Sequence, residues 1–186
     1  MGCEAVSGTM VLKFWGYDVT VAQVVEAVPR GKAKYQVDGV WYAADPFVEF
    51  VGDPKKTSKE GAYGCFADPL VKGMSKFAGD RVKNISGCSE EELFRHIAEG
   101  RPVVVWGASN GVTLKKGVTW QCVDKNGKPT GKTFQQITRE HCMVLIGYDK
   151  DYVYLNNPSS EANVAQERSV FFSNWKTLYS QAVVII

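Results

Sequence analysis

Only two histidines, His96 and His141, occur in the 186 residues. A metal site built on several imidazoles is thereby excluded. No Cys-x-x-Cys pair is present, which argues against both a zinc ribbon and a thioredoxin-like redox centre. No apolar run approaches the roughly 18–20 residues a membrane helix needs. Val103–Trp106 and Val183–Ile186 are typical of the short apolar runs present, so no membrane segment is expected. An excess of one charge is missing too: 22 basic against 20 acidic residues leave a net charge of +2. With a pI near 8.2, nothing points to nucleic acid or an anionic membrane as partner. The start of the chain offers no charged segment followed by an apolar one, so no signal peptide is read. Met1-Gly2-Cys3 resembles an acylation site only superficially. Val6 stands where the myristoylation pattern has Ser or Thr, and two residues cannot form the apolar stretch before a lipoprotein cysteine.

What is present is an ordinary globular composition, 45% hydrophobic and 23% charged, in a chain long enough to bury a core without staples. No repeat, proline-rich linker or low-complexity tract divides it, and a single domain over residues 1–186 is expected. Cys3–Phe14 reads as a helix of small and apolar residues closing at Gly16. Thr20 caps a second helix, stopped by Pro29. Asp38-Gly39 between β-forming residues predicts a hairpin over Lys34–Tyr42. A long irregular loop follows over Asp45–Gly61, and loops of that length are often functional. Asp68-Pro69 opens a third helix ending before Gly79. Arg81–Ile85 reads as a strand, and Ser89 starts a capped helix running to Gly100. Strands are expected at Pro102–Trp106, Val118–Val123, His141–Tyr148 and Tyr152–Asn156. Ser173 is expected to cap a short helix to Ser180, before a terminal strand over Ala182–Ile186. Helices first and mostly antiparallel strands later make an α+β pattern.

The leading chemical candidate pairs Cys3 with His141. A helix N-terminus carries partial positive charge, which favours a thiolate. Glu4 beside it acts the other way, because its charge disfavours a neighbouring thiolate. His141 lies 138 residues downstream at a strand start, and Asn157 follows sixteen residues later before Pro158. Cysteine, then histidine roughly 130–150 residues on, then asparagine is the chain order of papain-type peptidases. On spacing alone, Cys3 as a buried small hydrophobe and His141 as a strand-edge residue remain open.

Other features have weaker claims. Gly127–Thr133 looks like a phosphate loop but has three residues between its glycines where the motif has four. His96 reads as an exposed helix residue off the stripe of Leu93, Phe94, Ile97 and Ala98. Asp149 is expected in a hairpin turn, about 25 Å along the strand from His141. Cys142 should face the core. Cys65 and Cys88 each follow a glycine, and a bridge between them is left open. Trp41, Trp106, Trp120 and Tyr148 are expected mostly in the core, with Trp120 able to shield the site.

The segment Gly2-Cys3-Glu4-Ala5-Val6-Ser7, with Met10-Val11-Leu12 and Gly16, resembles the nucleophile helix of family thirty-nine of the cysteine peptidases, in its stand-alone bacterial branch. The similarity continues through Gly52-Asp53-Pro54, Gly100–Trp106, Glu140–Asp149 and Val153–Pro158, and ends with the Trp175 helix and a strand. The resemblance implies a papain-like fold and a thiol peptidase acting on peptide or protein. Cys3 would be the nucleophile, His141 the general base and acid, and Asn157 the residue that orients the imidazole. It implies no metal or organic cofactor, and work in the cell envelope or outside the cell. Many family members have Asp where Asn157 stands; asparagine can also accept the imidazole N–H. Family members also carry a Gln several residues before the cysteine as an oxyanion donor. Only Met1 and Gly2 precede Cys3, so the chain is expected to be truncated at its N-terminus, with Gln23 or Gln136 as candidate replacements. An acyl-transfer enzyme on the same dyad, such as a transglutaminase-like catalyst, and a non-catalytic papain-like binding domain are the alternatives.

Overall fold

The computed structural model describes residues 1–159 and 164–186. In chain order the elements are α1 (Cys3–Phe14), α2 (Val21–Ala27), β1 (Arg30–Gly31), β2 (Tyr35–Val37), β3 (Val40–Ala43) and β4 (Phe50–Val51). Then come α3 (Ala67–Ala78), β5 (Val82–Asn84), α4 (Glu90–Ala98), β6 (Val103–Ala108), β7 (Lys115–Val123) and β8 (Pro129–Thr138). The last are β9 (Glu140–Tyr148), β10 (Tyr152–Asn156), β11 (Val164–Glu167), α5 (Arg168–Thr177) and β12 (Ala182–Ile185). Single turns of 3₁₀ helix lie at Ser58–Glu60, Gly79–Arg81 and Ser109–Gly111.

Local chemistry accounts for several boundaries. Gly2 adopts φ 119° at the start of α1, a conformation that side chains disfavour. The Thr20 hydroxyl accepts the Gln23 N–H while the Gln23 side chain accepts the Thr20 N–H, a reciprocal cap on α2. Asp38 and Gly39 take φ 48° and 80°, the paired positive values of a tight hairpin turn between β2 and β3. The Ser89 hydroxyl accepts the Glu92 N–H and starts α4.

Six strands form an antiparallel sheet in the order β11-β10-β9-β6-β12-β5. A four-stranded sheet runs β2-β3-β7-β8, and β1 pairs with β4 inside the long loop. Alternation along β9 sends Cys142 and Val144 into a core shared with α1, α2, α3 and the four-stranded sheet. Met143 and Leu145 face a second core closed by α4 and α5. An added Cβ at Gly8 would come within 3.1 Å of Leu70 and Met74, so glycine lets α1 lie close on α3.

Several sequence expectations are corrected. The last helix starts at Arg168 rather than Ser173, because Phe171, Phe172 and Trp175 together fill the second core. The β7–β8 hairpin is longer than expected, and Gly127–Thr133 lies in its turn and in β8 with no helix after it. His96 is buried, not exposed. It stands three residues after Leu93, and residues at that spacing share one helix face. Cys65 and Cys88 are free thiols, one in the first core and the other against the second. Trp120 is a core residue that donates to the Ala44 carbonyl at 3.1 Å. Tyr148 is exposed and stacks on Phe94. Asp149 is a turn residue as expected, accepting the N–H groups of Asp151 and Tyr152.

Candidate active site

α1 brings Cys3 to β9. The Ser7 hydroxyl donates to the Cys142 carbonyl at 3.0 Å, tying the helix to the strand one turn after the cysteine. The Cys3 sulfur lies against the backbone N–H of Cys142, the residue that follows His141. The helix N-terminus does not produce the depressed thiol expected from it. Burial pushes the Cys3 thiol well above its ordinary range, and the Glu4 carboxylate beside it adds to the rise. The thiol hydrogen is directed at Glu4 Oε2, 3.5 Å away. Among the described residues no hydrogen bond joins Cys3 to His141.

His141 sits near the start of β9, opposite Gly107 of β6. Its Nε2 lies 2.7 Å from Asn157 Oδ1. Asn156 pairs with Val144, so the chain leaves the ladder close to the imidazole. Both His141 and Asn157 are buried. The backbone N–H of Ser159 donates to Asn157 Oδ1 at 2.9 Å. A backbone N–H can only donate, so the atom facing it must be the amide oxygen. Asn157 Nδ2 then donates to the Ser109 hydroxyl at 3.0 Å. With an acceptor fixed before it, Nε2 carries the imidazole hydrogen and Nδ1 is the basic nitrogen. The Ser159 hydroxyl also lies 3.3 Å from Nε2. Burial lowers the His141 pKa, and the Asn157 contact partly offsets that. Both shifts favour the neutral thiol and imidazole over a thiolate–imidazolium pair.

A cavity of about 510 Å³ is lined by Met1, Lys34, Tyr63, Gln136 and Glu140, the residue before His141, among others. Burial pushes the Glu140 carboxyl up to about 8. Gln136 accepts from Lys34 Nζ at 3.3 Å on this wall. Gln23 is committed to the α2 cap and does not serve as an oxyanion donor. Among the described residues no group of three or more His, Cys, Asp or Glu side chains is arranged to hold a metal ion. Sequence reasoning did not single out Ser109, Ser159 or Glu140. The first enters through the pairing of Ala108 with Glu140, which no spacing along the chain reveals.

The model of the Peptidase_C39 like family matches residues 1–183. The chain belongs to this family. It is 33% identical over 184 residues to protein YvpB of Bacillus subtilis (strain 168), itself uncharacterized. That match covers 99% of this chain and 68% of YvpB. A crystal structure assigned to a C39-like peptidase of Bacillus anthracis superposes with a TM-score of 0.85 at 28% identity, covering 100% of this chain and 88% of that one. The α+β architecture is therefore the papain-like fold of the C39-like peptidases, and family and fold together support a papain-like peptidase.

Proposed function

We propose that this C39-like chain is a cysteine peptidase in which Cys3 attacks, His141 moves the proton and Asn157 orients the imidazole. The contact of 2.7 Å between His141 Nε2 and Asn157 Oδ1 carries the reading, because it directs the basic Nδ1 to proton transfer. The Cys3 S–H proton passes to Nδ1 as sulfur adds to the peptide carbonyl. The tetrahedral intermediate collapses when His141 gives that proton to the leaving amine, leaving an acyl-enzyme on Cys3. Water, activated by the same nitrogen, releases the acid and restores the thiol. The Cys3 backbone N–H at the start of α1 supports the developing oxyanion.

The substrate class is peptide or protein, and the whole of residues 1–186 acts as one peptidase unit. Work outside the cell or in the envelope is part of this reading, and fractionation of the producing cells checks it. Incubation with a peptide library should give new termini with unmodified protein and none with Cys3→Ala. Added amines should not appear in the products; if they do, the chain is an acyltransferase. Labelling of Cys3 without any turnover would favour a binding domain.

A further inference from the structure

Glu4 is the other acidic group in contact with Cys3, and the mechanism above does not use it. Its side chain is buried at 5% exposure. Oε1 accepts the Cys65 backbone N–H at 2.9 Å, and Oε2 accepts the Cys3 S–H at 3.5 Å. The approach to the loop is close: a Cβ on Gly64, at φ 146°, would sit 2.4 Å from Oε1. The Cys65 carbonyl in turn accepts Trp106 Nε1–H at 2.9 Å, so the loop that meets Glu4 is anchored in the core. One carboxylate thus joins the first turn of α1 to a fixed loop and faces the nucleophile with an acceptor.

We propose that Glu4 is the positioning residue of the nucleophile: anchored through Cys65, it keeps the Cys3 hydrogen on sulfur and turned from His141 until a substrate is attacked. This rests on Cys3 being the nucleophile of the proposed peptidase. On attack the S–H proton moves to His141 Nδ1 and the C–S bond forms, while the Glu4 carboxyl, raised by burial and held down by the Cys65 N–H, takes no part in the proton transfer. The resting thiol is thereby guarded against stray electrophiles and oxidants, which react with thiolate. The groups facing the sulfur are Glu4 from α1, Glu140 and Cys142 from β9, and Cys65 from the loop before α3. Tyr63 and the amino terminus face Glu4 itself. Burial and the Glu4 charge both raise the Cys3 thiol, and Glu140 adds a smaller push.

Glu4→Gln tests this without changing shape. The amide oxygen must stay on the Cys65 N–H, so the amide NH₂ turns to the sulfur and donates to it. The pH profile of Cys3 alkylation, mapped by mass spectrometry, should move down by about one unit or more, a roughly tenfold gain on its rising limb. An unchanged or upward-shifted profile overturns the proposal. If the variant does not fold, the unaltered protein decides through infrared spectroscopy. An S–H stretch that disappears in Cys3→Ala should be present at neutral pH, lowered by hydrogen bonding, and should rise as acid protonates Glu4. No such band, or one at the position of an unbonded thiol, overturns it. Neither readout involves turnover, so failure of the peptidase reading shows separately as absent cleavage.

Discussion

At the scale of single residues, the orientation of one amide decides which His141 nitrogen is left basic. The Ser159 N–H fixes Asn157 Oδ1, and Oδ1 fixes the His141 tautomer. Asn157→Ala removes that acceptor and frees the ring, and kcat/KM for peptide cleavage should fall at least tenfold, as general acid–base catalysis supplies about a hundredfold or more. Ser109→Ala leaves the Ser159 anchor in place and should cost only a few-fold; a larger loss than Asn157→Ala would reassign the roles. Glu140 gives a pH signature. Its folded value near 8 lies above the ordinary 4.5. Folded protein therefore holds a proton that the unfolded chain has lost between those values, and the associated stability is present below the window and lost as pH rises through it. Glu140→Gln should raise Tm relative to the unaltered protein at about pH 8.5 and leave it unchanged at about pH 4. Equal Tm at both would place the Glu140 carboxyl in an ordinary solvated setting.

Among the elements, the attachment of α1 to β9 positions Cys3, the nucleophile of the proposed function. Ser7→Ala leaves the buried Cys142 carbonyl without its donor, and such an orphaned group costs about 1–3 kcal/mol. Denaturant midpoints measure this, with the slope unchanged. The helices α1 to α4 and the β2–β3 hairpin were legible because their signals are local: caps, Asp-Gly and glycine stops lie within a few residues of what they control. β8, β11 and the early start of α5 were not. Pro129–Thr138 is polar and mostly exposed in its first half, so no alternation marks it. Arg168–Thr177 carries its decisive residues, Phe171, Phe172 and Trp175, as a packing surface rather than a cap. The Cys3, His141 and Asn157 order was legible from spacing and motif. The direction of the Cys3 pKa was not, because burial depends on what α1 meets.

For the whole molecule, one core ties both sheets together, with Trp120 and Phe134 of β7 and β8 beside Val104 and Trp106 of β6. Trp120→Ala should cost about 3–5 kcal/mol by emptying that junction. Circular dichroism and tryptophan fluorescence should report one shared transition; separated transitions would mean the sheets unfold independently. The same junction holds the Cys65 loop and α1 in place. The central claim is that catalysis runs through an acyl group on Cys3. Acid-quenched intact-mass spectrometry, with peptide mapping, during turnover of an activated peptide ester tests it directly. The account predicts an adduct of the acyl mass on Cys3, formed in the unaltered protein and absent in Cys3→Ala. Ester or peptide cleavage with the adduct on another residue, or cleavage that persists in Cys3→Ala, would contradict it.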